Sequence, residues 1–279
     1  MQSESKVGIA SPAGGYPRAV PELPEVERYR RLAESALFRA VSSIAAPDPW
    51  FLKGGESGPD FRRALVGNRF VAADRIGKLL VLATERGPTL GIRFGMTGTL
   101  AVDGRVGVED LRYGPRRHDP SWDRWSARFA DGGSLVVRDP RRLGGVRLDP
   151  DLSRLGPDAA SISPSALSSA LRGSAAPLKA RLLDQSRVAG VGNLIADEVL
   201  WRAGLSPQRP AGSLSANEAR RLHRHLRRTI GYLIDRGGSH LGDLMDERRV
   251  GGRCPRDGAA LVRSTVGGRT SWWCPVHQV

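Results

Sequence analysis

The chain has 279 residues, and its 43 basic and 29 acidic side chains give a formal net charge of +14 at neutral pH. Hydrophobic residues make up 40% and charged residues 26%, which excludes a fibrous or disordered protein and predicts a globular one of about two domains. It has no long apolar run and no disulfide framework, so we expect a cytoplasmic protein. The basic excess favours a polyanionic partner such as nucleic acid.

Residues 1–20 are rich in Ser, Gly, Ala and Pro and show no apolar periodicity. We expect them to be a disordered extension that is not part of the native protein. A helix is predicted to begin within residues 21–25, because prolines suit the first helical turn and carboxylates favour its positive end. Its apolar stripe follows as Val26, Leu32, Ala33, Ala36 and Leu37.

Residues 69–148 carry a β pattern. Short apolar runs at 70–73, 79–83, 90–94 and 135–137 are separated by turn residues such as Asp-Gly and Gly-Gly. This spacing predicts an antiparallel β-sandwich or barrel. Residues 105–124 contain several Arg, Pro and Gly residues and are predicted to form a long surface loop.

From residue 151 onward the pattern is helical, with predicted helices at 164–171, 178–184, 193–203 and 216–236. Ser215, followed three residues later by Glu218, predicts a capping box at the start of the last helix, and Gly237-Gly238 predicts its end. The final segment is Gly-rich and contains both cysteines.

The most informative segment is 178–207, in which the turn AGVGN at 189–193 joins two predicted helices. Its glycines permit tight backbone geometry, so backbone amides and the Asn193 side chain can approach a phosphate at the start of the second helix. The sequences LLDQ, VAGVGN and ADE closely resemble the helix–two-turn–helix element of the formamidopyrimidine-DNA glycosylase / endonuclease VIII family.

Other motifs resemble the same family and occur in its order. The N-terminal signature of the formamidopyrimidine branch is similar to PELPEVE at 21–27. Its β-domain motifs are similar to GK at 77–78, GMTG at 95–98 and DPRRLG at 139–144. Its zinc hairpin is similar to the segment in which Arg269 precedes Cys274-Pro275. The resemblance implies a two-domain α+β fold. An antiparallel β-sandwich flanked by helices would span 21–150, a helix–two-turn–helix domain 151–249, and a zinc-finger-like β-hairpin 250–279.

The resemblance implies a bifunctional DNA glycosylase and AP lyase of base-excision repair, monomeric and nucleoid-associated when bound to double-stranded damaged DNA. Pro21 would attack the sugar C1′ with a secondary amine, and Glu22 would act as general acid/base in opening the sugar ring, with Glu25 organising the site. Two eliminations would then nick the strand. An amide bond from Val20 makes the Pro21 nitrogen non-nucleophilic, so we expect translation to start at codon 20 and the initiator Met to be removed.

DNA phosphates beside an extruded nucleotide would, by the resemblance, be clamped by Lys78, Asn193 and Arg269. Lys179, on the first helix of the DNA-binding element, is a further phosphate candidate. Such contacts position the duplex without reading its sequence. The Arg-rich helix 220–228 is expected to add positive charge to the DNA cleft.

Three residues are expected to fill the gap that a flipped base leaves in the stack. Met96 and Arg141 match the family, whereas Leu143 stands where the family has Phe. An apolar Leu can still wedge between base pairs, but the preference for the opposite base stays open.

The family's zinc hairpin has two Cys-x2-Cys pairs, whereas this chain pairs Cys254 with Asp257 and Cys274 with His277. Asp and His also ligate zinc, so a tetrahedral site for one structural Zn²⁺ is chemically feasible, with lower affinity because carboxylate is a harder ligand than thiolate. The alternative is a zinc-free hairpin held by Trp272, Trp273 and Val262.

The substrate is not fixed by these motifs. The N-terminal signature indicates oxidised purines such as 8-oxoguanine or formamidopyrimidines, but few residues separate Arg236 from Cys254, where relatives have a loop that covers such a base. Two alternatives stay open: the same fold acting on oxidised pyrimidines or abasic sites, and a non-catalytic damaged-DNA-binding paralogue. A zinc-ribbon transcription factor would leave the motifs at 21–27 and 77–78 unexplained.

Overall fold

The structure, a computed structural model, describes residues 21–108 and 119–279. The predicted extension at 1–20 lies outside the described residues, and so do residues 109–118 of the predicted surface loop. No helix in the described part of the chain is long and apolar enough to cross a membrane.

The described residues form six α-helices, whose bounds are α1 Leu23–Ala33, α2 Gly58–Leu65, α3 Pro164–Leu171, α4 Leu178–Leu183, α5 Asn193–Ala203 and α6 Ala216–Arg236. The predicted bounds of α3, α5 and α6 are confirmed, and α4 ends one residue earlier than predicted. The Ser215–Glu218 capping box is present, and α6 ends at Gly237, whose φ of 100° suits a residue without a Cβ. Helix α1 stops at Ala33 and a 3-10 turn follows.

Eleven strands complete the described structure, namely β1 Val41–Ala45, β2 Phe70–Ile76, β3 Leu79–Thr84, β4 Leu90–Arg93, β5 Thr99–Val102, β6 Arg105–Val106, β7 Asp123–Phe129, β8 Ser134–Arg138, β9 Gly145–Leu148, β10 Val262–Val266 and β11 Arg269–Trp273. The four predicted apolar runs lie on or close to β2, β3, β4 and β8. The loop prediction for 105–124 was wrong at both ends, where β6 and the start of β7 form antiparallel pairs with β5 and β8.

The N-terminal part is a sandwich of two antiparallel sheets, one ordered β1-β7-β8-β5-β6 and the other β2-β3-β4-β9. One core between them contains Leu80 and Leu82 from β3 and Trp125 from β7, all fully buried. Helices α1 and α2 cover this core with Tyr29 and Phe61. The predicted β-sandwich flanked by helices is therefore confirmed.

The C-terminal part is helical and has a separate core. Helix α6 contributes Leu222, Leu226, Ile230 and Leu233, spaced by four, four and three residues on one buried face. Its opposite face carries most of the arginines. The β10–β11 hairpin follows and packs against α5 with a small third core that includes Trp201, Cys254 and Cys274.

Helix α1 joins the two parts. Val26 is buried in the sandwich core, whereas Leu23, one turn earlier, is buried in the helical core. Residues 21 and 22 therefore enter the junction between the domains. The sheet side is tied to the same junction by Asp158, which accepts hydrogen bonds from Gly77 N–H at 2.6 Å and from Arg75 at 2.5 Å.

Candidate active site and metal centre

Glu22 is held at the start of α5. Its side chain is 2% exposed, and its two carboxylate oxygens accept hydrogen bonds from the backbone N–H groups of Leu194 at 2.9 Å and Ile195 at 3.1 Å. Helix N-termini have such free N–H groups and favour negative charge. A Cβ on Gly192 would lie 2.0 Å from the Glu22 Cδ. Gly192 is thus required for Glu22 to reach the helix.

This contact corrects one sequence prediction. The amides at the start of α5 were expected to approach a phosphate, but Leu194 and Ile195 donate to the protein's own carboxylate instead. The Asn193 side chain stays available, and its buried Oδ1 has no hydrogen-bond partner among the described residues. This oxygen is an acceptor, so a donor such as water would satisfy it, and only the Nδ2 amide group of Asn193 can donate to a phosphate.

The protonation of Glu22 is shifted by its surroundings. Burial raises the pKa of the Glu22 carboxyl above its usual 4.5, and this outweighs the opposing effects of Lys78 and the two backbone N–H groups. A carboxyl group with a raised pKa retains its proton at higher pH, as a general acid must.

Glu25 fixes the backbone around Glu22. Its Oε2 accepts from the Glu22 N–H at 3.0 Å, and its Oε1 accepts from the backbone N–H and the hydroxyl of Ser239 at 2.6 and 2.8 Å. Glu25 is fully buried. The predicted organising role therefore has a structural basis in a buried network that spans both domains.

Lys78 lies at the turn between β2 and β3, next to the α4–α5 turn. Gly77 has a φ of 59°, and a Cβ on it would lie 2.9 Å from the backbone nitrogen of Gly190. Only glycine at 77 lets the two turns meet. Burial lowers the pKa of the half-buried Lys78 ammonium, and Glu22 and Glu25 oppose that effect.

Five predicted residues line one cleft of about 780 Å³, namely Glu22, Lys78, Met96, Asn193 and Arg269. They come from the N-cap of α1, the β2–β3 turn, the β4–β5 turn, α5 and β11. Arg249 and Arg263 line the same cleft and were not predicted from the sequence. The position of Arg263 on the hairpin strand paired with that of Arg269 was the signal that could have identified it.

Met96, Arg141 and Leu143, the three predicted gap-filling residues, lie on the β4–β5 and β8–β9 loops, which Asp139 joins. This buried carboxylate accepts hydrogen bonds from the Thr97 hydroxyl and from the backbone N–H groups of Arg141 and Gly144, the last two at 3.1 and 2.8 Å. Arg141 Nη1 lies 3.9 Å from the Met96 sulfur. Leu143 is 50% exposed, so it is not a core residue.

The phosphate-binding prediction for Lys179 was wrong. Its side chain is fully buried, with Nζ 2.7 Å from Asp197 Oδ1 and 2.9 Å from the Thr270 carbonyl oxygen. Asp197 also pairs with Arg248 at 2.7 Å. Because its donors bind α5 and the hairpin, Lys179 cannot reach a phosphate on the surface.

The expected contribution of helix 220–228 to the cleft was also wrong. The described residues that line the cleft include none from this segment. Arg221 and His225 instead line a separate cavity next to Gly204, at the other end of α5.

The hairpin brings together the four predicted metal ligands. The ligand atoms of Cys254, Asp257, Cys274 and His277 all lie within 4.8 Å of one another. His277 Nδ1 is 3.6 Å from Cys254 Sγ and 2.7 Å from Asp257 Oδ2, and Cys274 Sγ is 3.3 Å from the same Asp257 oxygen. Two sulfurs, one imidazole nitrogen and one carboxylate oxygen form a donor set that fits a tetrahedral metal ion.

Neighbouring groups orient these ligands. His277 Nε2 lies 3.2 Å from the Trp201 carbonyl oxygen, a contact that places the ring proton on Nε2 and leaves Nδ1 facing the cluster. Cys254 Sγ accepts hydrogen bonds from the Trp201 indole at 3.3 Å and the Arg256 backbone N–H at 3.4 Å. Donors to sulfur stabilise a thiolate, the form that binds metal.

Comparison with known proteins gives two family matches that together cover most of the chain. Residues 20–146 match the formamidopyrimidine-DNA glycosylase N-terminal domain, and residues 155–244 match the H2TH domain of the same enzymes. A formamidopyrimidine-DNA glycosylase from Thermus thermophilus is 36% identical, with 93% of this chain and 98% of the relative aligned. Another, from Chloroflexus aggregans, is 33% identical, with 93% of this chain and 99% of the relative aligned.

Solved structures agree with these matches. A complex of the Lactococcus lactis Fpg (MutM) with DNA containing Fapy-dG has a TM-score of 0.78 and 27% identity, covering 92% of this chain and 99% of that one. A complex of the same protein with DNA containing an oxidised pyrimidine has a TM-score of 0.77 and 28% identity at the same coverage. Both domains and their arrangement are therefore shared.

Proposed function

The chain belongs to the formamidopyrimidine-DNA glycosylase family, and from that premise we propose that it excises oxidised purines from duplex DNA and then nicks the strand as an AP lyase. Membership makes it a DNA glycosylase of base-excision repair with DNA as its partner. The reaction type, the substrate and the residue roles below are the proposal. The single observation that supports them best is Glu22, buried with a raised pKa in a cleft shared with Lys78, Asn193 and Arg269.

The nucleophile is the secondary amine of Pro21. It forms a bond to C1′ while the glycosidic bond breaks and the base leaves with that electron pair. The Pro21 nitrogen gives its proton to the departing base. Its lone pair then opens the sugar ring to an iminium ion at C1′ as the ring oxygen takes a proton from Glu22. Loss of a proton from C2′ expels the 3′ phosphate, and a second elimination expels the 5′ phosphate. Water finally hydrolyses the iminium and restores the amine.

Glu22 is the proton donor to the ring oxygen. The N–H groups of Leu194 and Ile195 hold its carboxyl group in place, and burial raises its pKa, which favours the protonated form that a donor needs. Pro21 is buried next to it, at the junction of the domains. We propose that the active form begins at Pro21, because a tertiary amide nitrogen cannot attack C1′.

Lys78, Asn193 and Arg269 hold the phosphates beside the lesion. They line the same cleft, and a cation, an amide and a guanidinium are all good phosphate ligands. Met96, Arg141 and Leu143 fill the stack after the nucleotide leaves it. One chain supplies all of these groups, so the proposed site does not need a second subunit.

The metal centre is structural. We assign one Zn²⁺ to Cys254, Asp257, Cys274 and His277, whose donor atoms fit it. The ion would fix the hairpin that carries Arg269, and it takes no part in the chemistry at C1′.

The segment 237–253 favours oxidised pyrimidines or abasic sites as a second substrate class. It is short and forms only two 3-10 turns, Ser239–Leu241 and Met245–Glu247. Val250, which lines the cleft, is 85% exposed. An open cleft fits oxidised pyrimidines or abasic sites as well as purines. Excision rates on matched duplexes with 8-oxoguanine, a formamidopyrimidine or an oxidised pyrimidine, and the nicking rate of an abasic duplex, separate these substrates. Neither excision nor nicking on any of them would favour the non-catalytic paralogue.

A further inference from the structure

A cluster of arginines lies away from the cleft, around a cavity of about 430 Å³. Arg221 on α6 and Arg256 on the hairpin line this cavity, and Arg224 and Arg228 lie next to it on α6. These four arginines are called the rear patch below. Gly204, which lines this cavity, directly follows the C-terminal end of α5. Asn193, which lines the cleft, is the first residue of α5. The two sites are therefore separated by the length of α5, about 16 Å.

The charges of the rear patch are not neutralised within the described protein. The neighbouring Arg202 pairs with Glu198 and Asp243, both at 2.7 Å. By contrast, no carboxylate of the described residues forms an ion pair with any of the four patch arginines. The negative end of α5 compensates only about half a charge. A carboxylate at Val279 would neutralise one further charge, and the net charge of the four-arginine patch would still be positive.

Two further observations indicate an anion site. The Nε of Arg221 is buried and has no hydrogen-bond partner among the described residues, so a bound acceptor would satisfy it. The pKa of His225 is lowered, first by burial and then by the positive charges of Arg224, Arg228, Arg256 and Arg202. The potential at this surface therefore opposes cations and favours anions.

The spacing of the arginines favours a chain of anions over a single one. Arg221, Arg224 and Arg228 are three and four residues apart, so they share one face of α6 and extend over about 10 Å. Guanidinium groups bind phosphate through paired N–H donors. Among the described residues that line the cavity, only Ala203 and Val279 have apolar side chains, which leaves an acidic peptide without an anchor.

We propose that the rear patch binds the phosphate backbone of a second DNA duplex segment while the cleft holds the damaged site. A protein with two such surfaces can contact a new segment before it releases the old one, which allows direct transfer between DNA segments. This inference goes beyond the glycosylase reaction and does not depend on its chemistry.

The test measures binding of a fluorescent undamaged 20-base-pair duplex by anisotropy. The protein begins at Pro21 and is first saturated with an unlabelled duplex that contains an uncleavable abasic analogue. We expect a second binding event that weakens with salt. In Arg224→Gln/Arg228→Gln its affinity falls about tenfold, and its slope against log salt becomes less steep by about 1.8, because two phosphate contacts are lost.

Matched controls make the result decisive. Arg62→Gln/Arg63→Gln removes the same charge from exposed positions on α2 and should leave the second event unchanged. Lys78→Gln should weaken the first event and spare the second. The proposal is overturned if no second duplex binds at 50 mM salt, if both double variants weaken binding equally, or if oligoglutamate displaces the second duplex at equal charge concentration. Because catalysis is not measured, an inactive protein that binds two duplexes contradicts the proposed function alone.

Discussion

The Glu22 carboxylate accepts a hydrogen bond from the backbone N–H of Leu194, with 2.9 Å between Oε1 and nitrogen. This contact joins the first turn of α1 to the first turn of α5, across the domain junction. It places the proposed proton donor at a fixed point of the DNA cleft, and it depends on a glycine at 192.

Gly192→Ala should abolish excision. The added Cβ would lie 2.0 Å from the Glu22 Cδ, so the carboxyl group must leave α5, and we expect about 1–3 kcal/mol of lost stability from the unpaired N–H groups. Gly231→Ala is the matched control. A Cβ there meets no atom within 4 Å, and alanine in the interior of α6 should raise stability by up to about 1 kcal/mol. Single-turnover excision and urea unfolding measure both effects, and an active Gly192→Ala enzyme would contradict the assigned geometry.

Glu22→Gln should lower single-turnover excision by about 10²-fold or more while the protein stays folded, because the amide cannot donate the required proton. The raised pKa also sets a pH dependence of stability. The stabilising contribution of protonated Glu22 is complete below pH 4.5 and is lost as the pH rises through the higher folded pKa. As the pH rises from 4.5, the free energy of unfolding of the wild type should therefore fall relative to that of the variant. A constant difference across that range would show that the Glu22 pKa is not raised.

Lys179→Met and Lys78→Met should separate stability from DNA binding. Lys179 is buried against Asp197, so its loss should cost about 3 kcal/mol. That is the low end for a broken buried pair, because Arg248 and Ser271 still bind the same carboxylate. Lys78→Met should keep the thermal midpoint and weaken binding to a damaged duplex. Equal behaviour of the two variants in thermal melts would count against this division.

Leu143→Ala should lower affinity for a duplex with an abasic analogue by about tenfold, or about 1.4 kcal/mol. Leu143 is 50% exposed in the free protein, so little packing is lost and the thermal midpoint should not change. Leu143→Phe should strengthen binding and alter the ranking of opposite bases. Titrations against the four opposite bases test this, and an unchanged ranking would exclude position 143 as its determinant.

Asp257→Cys should raise zinc affinity, because thiolate binds Zn²⁺ more tightly than carboxylate does. Competition against a chromogenic chelator measures the affinity, and metal analysis of the wild type should give about one equivalent. Asp257→Ala is the reverse control, with lower occupancy and a lower thermal midpoint. A wild-type protein with less than half an equivalent would support the zinc-free hairpin.

Local signals in the sequence were sufficient for the helices of the C-terminal part. Ser215, Glu218 and Gly237 mark the ends of α6, and the structure confirms both bounds. Strand β7 was not predicted because its apolar residues do not form a continuous run like those of β2, β3 and β4. Trp125, Ala127 and Phe129 instead alternate with polar residues and are all buried. This period-2 alternation was the signal that could have identified the strand.

Two lysines show what the sequence could not distinguish. Both were predicted to bind phosphate, yet only Lys78 lines the cleft. Lys179 can be buried because it pairs with Asp197, an acidic residue within the apolar helix α5. The spacing of residues in the sequence does not show which partner Asp197 has. The contact of Glu22 with residues 192–195 likewise joins distant parts of the chain, so the fit between a glycine and a carboxylate is visible only in the fold.

The central claim is that the Pro21 amine is the nucleophile, and peptide mapping of a borohydride-trapped protein–DNA adduct tests it most directly. Protein that begins at Pro21 is incubated with an abasic duplex and borohydride, digested, and sequenced by mass spectrometry, in parallel with the 279-residue chain. The account predicts a sugar adduct on the nitrogen of Pro21 in the first protein and none in the second. An adduct on a lysine such as Lys78, or equal trapping of both chains, would contradict it.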